Sequence, residues 1–210
     1  MYTTADVTVY IVCCGQDPLL RCFDGLLAQT ADPARIIVID NGCWPGIALE
    51  NHIVRHVSCP VDVLRLDKPL PMAAVRNYVL ELCNTPLLLG LDSHVIPSPD
   101  WLQLMTDAIA PRCHCMAEKA ERVCGVGGCV DYLNPEKGHE SAPRNLGGQA
   151  LENPSCLWSG NAIFKTEALR EIGGYPAEAA DGEEDLALAE RLRQNGGVLL
   201  YVPGIRCGEV

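Results

Sequence analysis

The chain has 210 residues, of which 48% are hydrophobic and 20% are charged, a composition typical of a globular protein with a substantial core. Its formal net charge of −11 argues against binding to nucleic acid or docking on an anionic membrane surface, because both need clustered lysine and arginine. The sequence shows neither an apolar run near the roughly 20 residues of a membrane-spanning helix nor the basic start of a signal peptide. We therefore expect a cytoplasmic protein, with peripheral association at the inner face of the membrane left open.

The 12 cysteines are interpreted first as thiols of a reducing compartment. Several lie in apolar, strand-like runs, where a free thiol behaves as a small hydrophobic side chain: Cys13, Cys14, Cys83, Cys124 and Cys129. One alternative is a zinc site with the ligands Cys113, Cys115, Cys124 and Cys129. The spacing of these cysteines differs from the paired Cys-x2-Cys knuckles of structural zinc sites. Disulfides are the other alternative.

The first 110 residues alternate β-branched apolar runs with segments of helical periodicity. The runs predict strands over residues 7–14, 35–40, 61–66 and 87–91. Helices are predicted over residues 17–29, 47–56, 71–84 and 98–110. Alternation at this spacing predicts an α/β fold, with a mostly parallel, twisted sheet flanked by helices on both faces.

The second half is less regular, but its elements still predict one domain over residues 1–210. We expect strands over 122–133 and 198–202 and a short helix over 166–172. A longer helix over 181–195 would begin with Asp181 as N-cap and Glu184 in the capping-box position. Residues 134–156 are rich in glycine, proline and asparagine and predict an irregular loop.

Asp92-Ser93-His94 follows directly on a buried strand and is the first candidate site. Open α/β sheets bind their ligands at the carboxyl ends of the strands. Residues two apart in an extended chain point the same way, so Asp92 and His94 together would hold one cation. The alternative is a strand-end aspartate beside an unrelated surface histidine.

Three further groups are candidates for binding or catalysis. The first two strands end at Cys13-Cys14-Gly15 and at Asp40-Asn41. These ends would lie side by side and accommodate a planar base. The alternative is that both are plain turns. Arg76 near the strand ends suits a phosphate, or is a solvated helix residue. Glu184-Asp185 could supply a general base. The alternative is that these acidic residues only stabilise the helix, through the interaction of their negative charge with its dipole.

The ordered set of these motifs resembles glycosyltransferase family 2. Ala74-Val75-Arg76-Asn77 is similar to the family's Ala-Arg-Asn block, and Glu184-Asp185-Leu186 is similar to its Glu-Asp helix. The matching stretches follow the family's order over nearly the whole chain: 7–15, 36–42, 73–77, 87–101, 159–175 and 182–203.

The resemblance implies the GT-A fold of nucleotide-diphospho-sugar transferases and an inverting glycosyltransferase of carbohydrate biosynthesis. Residues 1–110 would bind the donor, with a UDP-sugar as first choice and a GDP-sugar as second, and residues 111–210 would bind the acceptor. Donor contacts would come from Cys13, Cys14, Gly15, Asp40, Asn41, Arg76, Asp92 and Ser93, and metal ligands would be Asp92 and His94. Asp185 would be the general base, and the acceptor site would include Glu184, Trp158, Gly160 and Asn161.

Three departures from the family pattern affect these expectations. His94 stands where the family usually has a second aspartate, which favours Mn²⁺ over Mg²⁺ or a weak dependence on metal. The first strand lacks the family's Pro-Thr-Tyr-Asn-like turn. The family's histidine after the last strand is also absent here, so Cys207 or Glu209 replaces it, or the chain stops before it.

The sequence leaves two alternative functions to consider. A sugar-phosphate nucleotidyltransferase needs a glycine-rich, basic loop after the first strand, which Gln16-Asp17-Pro18 does not supply. A non-catalytic nucleotide-sugar-binding module fits the altered metal motif, but the intact Glu184-Asp185 pair argues against it. The acceptor is expected to be a carbohydrate, lipid-linked or protein molecule, and a homodimer is left open.

Overall fold

The computed structural model describes residues 1–13, 17–42, 58–110, 122–132, 145–180 and 182–209. The first half contains strands β1 (Val7–Cys13), β2 (Arg35–Asp40), β3 (Val61–Arg65) and β4 (Leu87–Asp92), with helices α1 (Asp17–Leu27) and α2 (Met72–Leu82). The predicted helix over residues 47–56 lies outside the described residues.

The second half adds strands to the same sheet. It contains β5 (Val95–Pro97), β6 (Val123–Tyr132), β7 (Leu151–Glu152), β8 (Asn161–Lys165) and β9 (Val198–Glu209). Its helices are α3 (Trp101–Ile109), α4 (Thr166–Glu171) and α5 (Glu184–Gln194).

One sheet joins both halves in the order β3-β2-β1-β4-β8-β6-β9-β5, and β7 pairs with β9. The pairings among β3, β2, β1 and β4 are parallel, as βαβ connections require. β8 then enters antiparallel between β4 and β6. The predicted α/β class is confirmed, with the parallel part concentrated in the first half.

Alternate residues of the central strand β1 pack into two separate cores. Val7, Val9 and Ile11 join the core on one face of the sheet, and Tyr10 and Val12 join the other. Because β1 is buried on both faces, it is a continuous apolar run. Its side chains are therefore covered along its length, and a ligand would have to bind at the strand ends.

The last strand is longer than predicted. The sequence predicts a strand over 198–202, but β9 continues to Glu209. The register with β6 shifts between Gly128 and Cys129, so residues 203–205 of β9 are skipped and pairing resumes at Arg206. The extension matters because it brings Glu209 beside Val95 of β5, which the sequence did not predict.

Two other expectations need correction. Helix α5 begins at Glu184, with Glu183 as N-cap and no side-chain capping bond, so the predicted start at position 181 is wrong. Asp181, the predicted N-cap, lies outside the described residues. The predicted loop 134–156 contains β7 in its described part, where Asn153 exchanges hydrogen bonds with the Leu199 backbone at 2.7 and 3.0 Å.

The described cysteines carry free thiols, which agrees with the first interpretation of their composition. Cys124 and Cys129 are buried in β6, and Cys113 and Cys115 lie outside the described residues. Over the part of the chain that the structure describes, no helix is long and apolar enough to cross a membrane.

Candidate active site

The carboxyl ends of β1, β2 and β4 meet at one edge of the sheet. The register pairs Cys13 with Asp40, and Val12 with Asp92. The strand ends assigned to base and diphosphate are therefore neighbours. Cys14 and Gly15 lie outside the described residues.

Two of the predicted donor contacts use their side chains within the protein. The Cys13 thiol is buried and donates to the Ile39 carbonyl at 3.3 Å. The Asn41 amide donates to the Leu70 carbonyl at 3.0 Å and accepts from the Leu70 N–H at 2.8 Å. A ligand at these positions would therefore meet backbone more than side chain, whereas Asp40 is 8% exposed at the strand end.

Asp92 ends β4, and its Oδ1 accepts the Ser93 N–H at 2.9 Å. His94 lies between two carboxylates: its Nδ1 is 3.4 Å from Asp92 Oδ1, and its Nε2 is 3.2 Å from Glu209 Oε1. Of the two residues considered as a further ligand, Glu209 is thus the one beside His94. Cys207 is buried, with its thiol 3.5 Å from Asn161 Oδ1.

The donor chemistry of this cluster fits a divalent cation. Two carboxylates and one imidazole suit Mn²⁺ better than Mg²⁺, which prefers oxygen alone. Among the described residues no group of three such side chains converges as a metal site, and Asp92 and Glu209 contact different nitrogens of the His94 ring. Asp92, His94 and Glu209 are the residues that would hold the ion.

Arg76 and Asp185 are 109 residues apart and form an ion pair, with Nη1 3.1 Å from Oδ1. Helix α2 supplies the arginine and the first turn of α5 supplies the aspartate. Burial alone would lower the pKa of the Arg76 guanidinium, but Asp185, together with Tyr10, Tyr175 and Glu184, raises this pKa by more, so Arg76 stays charged. The guanidinium also lies 5.4 Å from the centre of the Tyr175 ring.

Ser159 completes the setting of Asp185. Its hydroxyl donates to Asp185 Oδ1 at 2.5 Å, and its N–H donates to Oδ2 at 3.1 Å. Ser159 itself is buried just before β8. Three donors from two elements therefore orient the carboxylate that was predicted to act as general base.

Gly160 lets Trp158 approach Asp92 closely. A Cβ at this position would lie 2.5 Å from the Trp158 ring and 2.9 Å from the Asp92 Cβ, so only glycine allows this approach. The Gly160 carbonyl also accepts the Asp92 N–H at 2.9 Å. The Trp158 ring lies 6.1 Å from the His94 ring, which places it next to the group formed by Asp92, His94 and Glu209.

A cavity of about 550 Å³ opens beside Asp185. Its walls include apolar side chains from α2, the β8 approach and α5, namely Met72, Trp158 and Leu186, and the carboxylates Glu183, Glu184 and Asp185. This volume is in the range of small-molecule sites. The structure thus brings Trp158, Glu184, Asp185 and Arg76 together.

Asn161 is not brought into this cavity. It is 1% exposed, and its amide accepts the Trp101 indole N–H at 2.7 Å and donates to the Cys129 carbonyl at 3.4 Å. Its place is inside the sheet, where it satisfies the buried tryptophan.

Sequence reasoning assigned no role to Tyr10, Tyr175 or Ser159. The hydroxyls of Tyr10 and Tyr175 are 3.5 Å apart beneath Arg76, and burial raises the pKa of both. Asn77 of α2 fixes Tyr175 through two backbone hydrogen bonds of 2.7 and 2.8 Å. The sequence offers one signal for two of them: Ser159 and Tyr175 are the first and last residues of a stretch that matches the family.

Known proteins share both sequence and fold with this chain. Two curated relatives, the "Pre-mycofactocin glycosyltransferase" of Mycobacterium tuberculosis strains CDC 1551 / Oshkosh and ATCC 25618 / H37Rv, are each 28% identical over 207 residues. The match covers 94% of this chain but 41% of each relative, so the chain spans less than half of their length.

Solved structures show the same fold. "GalNAc-T7 with UDP, GalNAc and Mn2+" superposes with a TM-score of 0.76 at 18% identity, over 97% of this chain and 43% of that one. "Mannosyltransferase PcManGT from Pyrobaculum calidifontis in complex with GDP-Man and Mn2+" gives 0.73 at 17% identity, over 97% and 56%. These likenesses confirm the predicted GT-A fold.

The sequence profile described as "Glycosyl transferase family 2" matches residues 8–173, which is most of the chain and includes the strand ends, Arg76 and the Asp92 motif. This match confirms the family and the enzyme class that the motifs predicted. The chain therefore belongs to glycosyl transferase family 2.

Proposed function

We propose that this domain moves a sugar from a nucleotide-diphosphate donor to an acceptor hydroxyl with inversion at the anomeric carbon. The observation that carries the proposal is the Asp185 carboxylate, oriented by Arg76 and Ser159 at the wall of the 550 Å³ cavity. As the acceptor oxygen bonds to the anomeric carbon, the bond to the diphosphate oxygen breaks and Asp185 takes the hydroxyl proton.

The donor is assigned to the strand ends, with a UDP-sugar as first choice. Two structural neighbours, whose titles name UDP or GDP-Man together with Mn²⁺, support a nucleotide-sugar donor and this ion. Asp92, His94 and Glu209 would hold Mn²⁺, which would neutralise charge on the leaving diphosphate. Residues 1–110 would thus serve the donor, and the acceptor would face Trp158 and Glu184.

The decisive variant is Asp185→Asn, which keeps the shape of the side chain but removes the base. We expect loss of transfer by about 100-fold or more, while calorimetric binding of the UDP- or GDP-sugar with Mn²⁺ persists. The matched control Asp107→Asn changes an exposed aspartate of α3 and leaves transfer intact.

Retained turnover in Asp185→Asn would contradict the assignment of the base. Binding of a nucleotide sugar by the unaltered protein without transfer or hydrolysis would favour the non-catalytic binding module instead. Turnover of a nucleoside triphosphate with a sugar phosphate would identify a nucleotidyltransferase.

A further inference from the structure

We propose that the acceptor is a neutral glycoside with an apolar aglycone, and that acceptors with a phosphate or carboxylate on the aglycone are rejected. The inference rests on the proposed function, because it describes what the cavity beside Asp185 would hold. Three properties of the cavity wall support it.

The first property is charge. Glu183, Glu184 and Asp185 all line the cavity, and Arg76 is the one cationic side chain among its described lining residues. The Arg76 guanidinium is engaged by Asp185 at 3.1 Å. An anionic acceptor would therefore meet uncompensated like charge, and such contacts discriminate strongly against a ligand.

The second property is a carboxylate on the cavity wall that can accept hydrogen bonds. Glu184 lines the cavity and is 8% exposed. An ionised carboxylate is an acceptor only, so a ligand that donates hydrogen bonds suits this position. The hydroxyl groups of a sugar are such donors.

The third property is an exposed apolar surface. Leu186, directly after Asp185 on the first turn of α5, is 49% exposed. Together with Met72 and Trp158 it makes an apolar wall in the cavity. Covering this wall requires an apolar group on the acceptor in addition to its hydroxyls.

The test compares matched acceptors of the same sugars: 4-nitrophenyl, 4-carboxyphenyl and methyl glycosides of glucose, mannose, galactose and N-acetylglucosamine. For at least one sugar, we expect kcat/KM for the nitrophenyl glycoside to exceed both others by about tenfold. Equal use of the carboxyphenyl glycoside would overturn the role of charge, and equal use of the methyl glycoside would overturn the role of the apolar wall.

Variants at two exposed positions test the role of charge and the role of the apolar wall separately. Glu183→Lys should reduce discrimination against the carboxyphenyl glycoside at least threefold, whereas Glu190→Lys, the same change farther along α5 outside the cavity, should not. Leu186→Ser should reduce the advantage of nitrophenyl over methyl at least threefold, whereas Leu151→Ser on β7 should not. Equal effects of variant and control would contradict the proposal.

A binding measurement separates this inference from the proposed function. Saturation-transfer NMR reports contact of the aryl ring with the protein without turnover. If the unaltered protein neither transfers sugar nor hydrolyses any donor, the proposed function fails, but preferential binding of the neutral aryl glycoside would still support the inference. Preference for the anionic glycoside, or binding of none, would overturn it.

Discussion

Two regions of the site are built in different ways. The strand-end edge, formed by Cys13, Asp40 and Asp92, is placed by main-chain pairing between neighbouring strands. The wall proposed for the acceptor, called the acceptor wall below, is formed by Trp158, Ser159, Glu184 and Asp185. It is placed by side-chain contacts among α2, the segment before β8 and α5.

This difference has a consequence for substitution. A side chain at the strand-end edge can change without disturbing the ladder that positions it. A side chain of the acceptor wall also holds its neighbours, so its loss affects stability as well as chemistry. The predictions below test this contrast.

Asp92→Asn tests the strand-end edge. We expect Mn²⁺ affinity to fall by at least about tenfold, because a carboxylate ligand is lost, while the metal-free free energy of unfolding changes little. Titration with Mn²⁺ followed by electron paramagnetic resonance, and denaturation without metal, would measure the two quantities. Unchanged Mn²⁺ affinity, relative to Asp107→Asn as control, would remove Asp92 from the metal site.

Arg76→Met should instead destabilise the fold. It leaves the Asp185 carboxylate, whose side chain is 15% exposed, without its cation. Breaking a buried pair in this way costs about 3–5 kcal/mol. Chemical denaturation would measure the free energy of unfolding.

The double variant Arg76→Met/Asp185→Asn is the control for this prediction. It removes the stranded charge, so we expect it to regain about half of the lost stability or more. If the single variant is as stable as the unaltered protein, the ion pair does not hold the wall together.

Ser159→Ala should act mainly on the rate. It removes the 2.5 Å hydrogen bond to Asp185 Oδ1 but keeps the backbone N–H contact to Oδ2. Hydrogen bonds to charged groups contribute about 1.5–3 kcal/mol, so a fall in kcat of about tenfold or more is expected with donor KM unchanged. Ser58→Ala, an exposed serine before β3, is the matched control, and a change in donor KM alone would contradict the role.

The smallest effect concerns alkaline pH. Burial raises the pKa of Tyr10, so the folded protein keeps the proton that an unfolded tyrosine loses near pH 10. The stability this provides is complete below pH 10 and is lost as pH rises toward the folded pKa. Tyr10→Phe should therefore weaken the fall in unfolding free energy above pH 10 by up to about 1.4 kcal/mol per pH unit. An identical slope in both proteins would exclude Tyr10 as a source.

The local pattern was enough to predict most of the first half. Apolar runs predicted β1, β2 and β4 within one residue, because strands buried on both faces need continuous apolar side chains. The local pattern failed for the last strand: it predicted residues 198–202, yet a register shift relative to β6 lets β9 continue to Glu209.

The site residues show the same distinction between what a local pattern predicts and what tertiary packing decides. Asp92, His94 and Asp185 could be chosen from the sequence, because each stands at a strand or helix end where chemistry is expected. Asn161 was also chosen from its motif, but it is buried against Trp101. Motif membership alone does not report which way a side chain faces.

Residue order and apolar periodicity thus specified the fold class, the family and the ends of the strands, since these depend on near neighbours in the chain. Folding was required to join Glu209 to His94, and to place Ser159 and Arg76 on Asp185. These contacts connect residues 26 to 115 positions apart. Their geometry depends on how the sheet and helices pack together, and no local pattern encodes it.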